Sequence, residues 1–261
     1  MSTLILPPRY TPDSIALYSA AVEAGWNVER LQSWRVPSHL RFLNVALYGE
    51  PLFGAVVADQ LSLVLLEPSF HWLTQIPKKY LLRKVLFTTL AEARKHSERA
   101  FIKPADDKCF QARIYDEGSM LPSSDVLSNN TPVLISEPVS WNIEFRFFIL
   151  NGKIKTFSPY SRNGNSLQDE NWKTSPAKTK KAQDFCLQAI NELAASLPPS
   201  VVVDVGEIVD RGWAIVEANP SWASGIYGCE PSKILHVIAR ACLKKDEVSV
   251  EDKKWVVERV I

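Results

Sequence analysis

The segment VVVDVGEIVDRGWAIVEANP, residues 201–220, constrains this chain more than any other. β-Branched and apolar runs flank Asp210-Arg211-Gly212, where a turn is expected, and Pro220 cannot continue a ladder beyond Asn219; the pattern predicts a β-hairpin. Val201, Val202, Val203, Val205, Trp213, Ile215, Val216 and Ala218 make both strands apolar on both faces, as in a covered sheet. Asp204, Glu217 and Asn219 interrupt them. Carboxylates in such a setting are costly unless a cation balances them.

Side chains alternate with period two, so the turn decides which of these three share a face. A two-residue loop of Asp210-Arg211 sets Asp204 opposite Glu217, and one of Arg211-Gly212 sets it opposite Asn219. Either register gathers all three. A three-residue loop that pairs Asp204 with Ala218 scatters them, while Glu217 and Asn219 share a face in every case. Mg²⁺ is a hard cation that takes oxygen ligands and keeps phosphate oxygens and water in its shell. Asp204, Glu217 and Asn219 together read as such a metal site.

The remaining bulk properties narrow the class. At 261 residues the chain has room for about two domains, on a prior of roughly 150 residues each. Lys+Arg 30 against Asp+Glu 29 leaves a net charge of +1, which removes the electrostatic case for a nucleic-acid or anionic-membrane partner. No apolar run approaches the roughly 18 to 20 residues of a membrane span, and Met1-Ser2-Thr3 lacks the basic start of a signal peptide. A cytoplasmic location is expected. Cys109, Cys186, Cys229 and Cys242 form no CxxC pair and read as free buried thiols rather than disulfides or zinc ligands.

Along the chain, a strand over residues 3–6, a helix over 12–24 closed by Gly25 and a short strand over 28–31 form a strand-helix-strand unit suited to a parallel sheet. Apolar runs at 45–47, 55–57 and 61–66 read as further strands, and the spacing of Leu82, Val85, Leu86, Thr89, Leu90 and Ala93 predicts a helix over 79–96. A β-rich block follows: AFIKPAD with a hairpin partner at 110–115, strands at 132–138 and 144–150, and an Asn151-Gly152 turn into 153–157. Residues 161–176 are polar and read as a mobile loop. Helices are expected over 177–196 and 231–244.

Lys103 ends an apolar strand before Pro104, where it can project as a fixed cation toward phosphate. Glu137 closes one strand, and Glu144 and Arg146 share a face on the next, an arrangement that also suits an ordinary ion pair. With these pieces in order, a Lys-Pro after a strand, two acids seven positions apart, an arginine in EFRFFIL and Asp-x12-Glu-x-Asn, the chain resembles the ATP-grasp fold over about residues 80–240. Residues 1–75 resemble the α/β domain that commonly precedes it. The fold class expected is thus mixed α/β and α+β. An N-terminal α/β unit (1–78) precedes an ATP-grasp unit (79–261), whose ATP cleft lies between a smaller lid-like part (98–140) and a larger part with the metal site (141–245).

The resemblance implies roles residue by residue. Lys103 would contact the α- and β-phosphates of ATP, Glu137 and backbone up to Val139 the adenine, and Glu144 the ribose hydroxyls. Asp204, Glu217 and Asn219 would hold one or two Mg²⁺, and Arg146, with Lys103, would neutralise charge on the transferred phosphoryl. One departure stands out: ADDKCFQARIY after Lys103 has no glycine where many relatives carry a Gly-rich loop, and Lys108 and Arg113 are the charges it offers instead. In this it is similar to a bacterial and phage clade characterised by two arginines and a lysine. The activity implied is an ATP-dependent ligase that joins a carboxylate to an amine through an acyl phosphate, on a small-molecule or peptide acceptor. The rival readings are a kinase with a non-carboxylate acceptor and a non-catalytic nucleotide-binding or protein-interaction module. The loop over 162–176 is the expected lid, and Arg9, Tyr160 and Arg162 are candidates for the acceptor pocket.

Overall fold

The computed structural model describes residues 2–105 and 108–257. The chain opens with β1 (Ser2–Leu6), α1 (Pro12–Glu23), β2 (Asn27–Arg30) and β3 (Asn44–Leu47), and the three strands pair in parallel in the order β2-β1-β3. Local chemistry sets α1: Thr11 Oγ1 accepts from Ser14 N, Ser14 Oγ accepts from Thr11 N, and Pro12 presets the first turn. Gly25, at φ +72°, turns the chain away after the helix. The run at 55–57, expected as a strand, lies instead in α2 (Pro51–Gln60). Pro51 starts that helix, and Phe53, Gly54, Val57 and Ala58 recur at helical spacing on its buried face.

After β4 (Leu63–Leu65), the helix expected over 79–96 is three elements. The short α3 (Trp72–Gln75) and α4 (Lys78–Leu81) come first, and Leu82, left-handed at φ 49°, ends α4. Val85–Thr89 is then a strand, β5, and Thr89 caps α5 (Leu90–Ala93). The apolar residues fit either period. Pairing decides, because β5 lies antiparallel to β8 (Pro132–Ser136). With β6 (Ala100–Pro104) and β7 (Arg113–Tyr115) these make a four-stranded antiparallel sheet, order β5-β8-β6-β7, over a small core of its own that includes Ile102, Tyr115 and Val133.

A second antiparallel sheet has the order β11-β10-β9-β12-β13. Its strands are β9 (Trp141–Leu150), β10 (Lys153–Arg162), β11 (Asn165–Ser166), β12 (Ser200–Ile208) and β13 (Gly212–Asn219), with α6 (Pro176–Glu192) inserted before β12. α6 covers one face, packing Ala182, Cys186 and Ile190 near Phe147 and Val203. The other face, with Phe148 and Val202, is covered by α7 (Pro231–Ala241), whose Ile234, Leu235 and Ile238 share one core with Leu4, Ile5 and Leu47 of the N-terminal sheet. The chain then returns through β14 (Cys242–Lys244), which pairs with β4, to α8 (Val250–Lys253). Among the described residues no helix is long and apolar enough to cross a membrane; none of the four cysteines forms a disulfide, and Cys186, Cys229 and Cys242 are buried as expected while Cys109 is exposed.

The stretch 161–176, expected to be a mobile lid, is tied down. Leu167 is buried and its N–H donates to the Tyr160 carbonyl, Trp172 packs on Tyr227, and Arg162 donates to Glu170, Thr174 and the Lys173 carbonyl. Hydrophobic anchors within a polar sequence made the segment look looser than it is.

Candidate active site

The hairpin solves its register in an unexpected way. Ile208 faces Gly212, so the loop holds three residues, Val209 to Arg211, and this spacing alone sets Asp204 against Val216. One extra residue corrects it: between the pairs Val205–Ile215 and Asp204–Glu217, Val216 bulges out of register. Beyond the bulge, Asp204 lies opposite Glu217, and Asn219 follows two residues on, so the three share a face.

Cations already neutralise both carboxylates. Asp204, fully buried, accepts from Arg146 of the neighbouring β9 through Nε (2.9 Å) and Nη2 (2.6 Å). The guanidinium also donates to the Gly225 carbonyl and lies 4.8 Å from the Tyr227 ring centre and 5.7 Å from that of Tyr160. Burial pushes the Asp204 carboxyl up to about 6 against the pull of Arg146, which leaves it ionised at neutral pH. Glu217 shows the opposite balance: burial pushes it up, but the Lys103 ammonium, reaching across from β6, and the Asn219 amide hold it down at about 2. Arg146 therefore pairs with Asp204 and not with Glu144, whose Oε2 accepts from Tyr160 Oη (2.9 Å) and whose pKa burial raises.

Two cavities meet at this point. One of about 430 Å³ is lined by the segment from Ser136 to Val139, by Trp141 and Glu144, and by apolar residues such as Phe101 and Ile114. The other, about 590 Å³, is lined by Arg9, Asp13, Glu50, Lys108, Arg146 and Asn219. Lys103, Glu217 and Leu73 line both. The structure thus gathers Lys103, Glu144, Arg146, Glu217 and Asn219 around one cleft, with Asp204 buried just behind. The Glu137 carboxylate takes Arg211 Nη2 (2.7 Å) and Lys84 N–H (3.1 Å), so toward the first cavity its segment contributes backbone and Val139. Arg113 lies over the Tyr115 ring and Arg162 in its own loop, and neither lines either of these two cavities; Asp106 and Asp107 of the glycine-free stretch lie outside the described residues. Trp222 is fully buried in the core, Trp26 packs on its edge against His236, and Trp34, 42% exposed, sits against Phe53.

Arg83 is the residue that sequence reasoning missed, hidden inside the helix expected there. It lines the smaller cavity, lies 5.1 Å from the Trp141 ring centre, and donates to the carbonyls of Ile215 (2.7 Å), Val216 (2.8 Å) and Leu81 (3.1 Å). Burial lowers its pKa to about 10, offset by Glu217, Glu144 and Glu137, and it stays charged at neutral pH.

Among the described residues no three His, Cys, Asp or Glu side chains form a ready-made metal cage. What the hairpin turns to the cleft is the Glu217 carboxylate and the Asn219 amide, with the Asp204 carboxylate, both oxygens on Arg146, buried behind them. That donor set fits Mg²⁺, which draws its other ligands from phosphate and water.

The architecture is that of ATP-grasp proteins of known structure. It matches the RimK domain ATP-grasp protein from Sphaerobacter thermophilus DSM 20745 (TM-score 0.55, 13% identity, 92% of this chain and 98% of that one). It likewise matches D-alanine–D-alanine ligase from Bacillus anthracis (0.54, 14%, 92% and 96%) and the D-cycloserine synthetase DcsG (0.52, 15%, 91% and 98%). Identities this low speak for the fold. A family model, that of the ATP-grasp domain in family 2 of the clade named for two arginines and a lysine, matches residues 80–237. That is more than half of the chain, and the chain belongs to that family. Comparison with curated proteins finds no match.

Proposed function

We propose that this protein is an ATP- and Mg²⁺-dependent ligase that joins a carboxylate to an amine through an acyl phosphate. One observation carries the reading: Lys103 and Glu217 stand where a largely apolar cavity meets a cavity rich in charge of both signs. The apolar side takes the nucleoside. Adenine stacks among Phe101, Ile114 and Val139 and is read by the Glu137–Val139 backbone, while Glu144 accepts from the ribose hydroxyls. The phosphates then pass Lys103 into the charged side, where a zwitterionic acceptor such as an amino acid or peptide finds Arg9 and Lys108 for its carboxylate and Asp13 and Glu50 for its amine.

A carboxylate resists amines because its oxygen is a poor leaving group. A carboxylate oxygen attacks the γ-phosphorus, the bond from that phosphorus to the β-bridging oxygen breaks, and ADP leaves. The amine nitrogen then attacks the acyl carbon, the bond to the phosphoryl oxygen breaks, phosphate leaves, and the nitrogen gives up its surplus proton. Lys103 orients the phosphates, and Arg146 sets the local charge through Asp204. Glu217 and Asn219, which line the cleft, would hold Mg²⁺ with the Asp204 charge buried behind them, and the ion would supply neutralisation of phosphate charge.

Incubation with Mg-ATP and paired candidate acceptors tests this. The expected result is ADP and phosphate formed only when both an acid and an amine are present. A stable phosphorylated product, or ADP formed with a lone hydroxyl acceptor, shows a kinase and overturns the ligase. Mg-ATP at about 100 times its Kd should also stabilise the fold by about 2.7 kcal/mol, read as a rise in melting temperature.

A further inference from the structure

The trio on the hairpin depends on a single misfit residue. Without the Val216 bulge, the three-residue loop would run the pairing on from Ile208–Gly212 and Val205–Ile215 to Asp204–Val216 and Val203–Glu217. Glu217 and Asn219 would then point to the face opposite Asp204. A bulge also leaves backbone groups outside the ladder, and such groups need partners when buried. Here the carbonyls of Ile215 and Val216 both accept from one side chain, the Arg83 guanidinium.

We infer that Arg83 is a positioning residue that sets the β13 register by capping the bulge, and so puts Glu217 and Asn219 on the face of Asp204. It is well placed for this. Leu82 in the left-handed conformation turns the chain between α4 and β5, and Arg83 Nη1 also donates to the Leu81 carbonyl, which fixes the fork from behind. Trp141 flanks the guanidinium, and Gly206 on β12 leaves Trp141 its room, since a Cβ there would come within 2.6 Å of the indole. Gly206, Trp141 and Arg83 therefore form a stack that ends on the bulge. A planar fork suits two adjacent carbonyls, whereas a lysine can satisfy them only as a single point charge.

The inference extends the ligase reading to a residue outside the hairpin and the phosphate contacts, and its test separates the two. In a crystal structure of Arg83→Met, Asp204 is expected opposite Val216, or the 215–217 ladder broken. Asp204 still opposite Glu217 overturns the inference, whatever the activity. Arg83→Gln and Arg83→Lys are read by the same register, so failure of the methionine variant to fold does not end the test; Lys is expected to retain the pairing better than Gln. In parallel, Mg²⁺ is titrated in the presence of a non-hydrolysable ATP analogue. The methionine variant should lose about 10- to 100-fold in Mg²⁺ affinity, as supporting residues around metal sites do, with part of it recovered by lysine. If the wild-type protein binds neither analogue nor Mg²⁺, the ligase reading fails, while the register still decides the role of Arg83.

Discussion

The two sheets that face each other across the cleft hold charge in different ways. In the five-stranded sheet, Arg146 and Asp204 form a two-point pair with side chains 8% and 0% exposed, under cover from α6 and α7. The four-stranded sheet has a small core of its own and sends one cation, Lys103, across to Glu217, with side chains 21% and 27% exposed. The first pair belongs to a packed interior and has one arrangement. The second closes a cleft and can be exchanged for a ligand. A buried pair is costly to break because the surviving charge stays buried, while a half-exposed one can trade its partner for water, phosphate or metal.

Four measurements bear on this contrast. Asp204→Ala strands Arg146 in the core and should destabilise the protein by roughly 3–5 kcal/mol in urea unfolding; a loss below about 1 kcal/mol would erase the distinction between the pairs. Glu217→Gln keeps shape and fold, but turnover should fall about 10²-fold or more, roughly 3 kcal/mol of lost charge stabilisation, and unchanged turnover would remove Glu217 from the chemistry. Lys103→Met has its signature in pH. Glu217 sits at about 2 in the folded protein and at about 4.3 when unfolded, so its contribution is complete above the unfolded value and disappears as pH falls through the folded one. The stability gap between wild type and Lys103→Met should therefore be widest above about pH 5 and close toward about pH 2; a gap that ignores pH argues against the pair. Smallest is Arg162→Ala, which removes a largely exposed contact to Glu170 in a loop that lines neither cavity: it should cost at most about 1 kcal/mol and leave turnover alone, and a large loss of turnover would restore that loop as a lid.

Much of this was written in local patterns. Asn151-Gly152, at φ 49° and 71°, marks its turn unambiguously, and the alternation in EFRFFIL and the covered hairpin reads directly as strand. Lys103, Glu217 and Asn219 were also legible, because costly side chains in apolar strands need a reason to be there. What sequence hid were features decided by distant partners. Val85–Thr89 fits a helix until β8 is laid beside it, and Ala55–Val57 fits a strand until Pro51 is seen to start a turn of helix. The Val216 bulge left no local trace, since nothing in IVEAN distinguishes a residue that pairs from one that does not; its partner is Arg83, 133 positions away.

The placement of α7 has a consequence for how the chain comes into being. It lies between the N-terminal sheet and the five-stranded one, covering β3 and α1 on one side and β9 and β12 on the other, yet it is encoded at residues 231–241. On a ribosome Leu4, Ile5 and Leu47 are made without the cover of α7 and lack it until residues 231–241 have followed. That unit is thus made well before the helix that completes its core. A product truncated before Pro231 would display two apolar faces at once, which makes an incomplete copy easy for quality control to tell from a finished one.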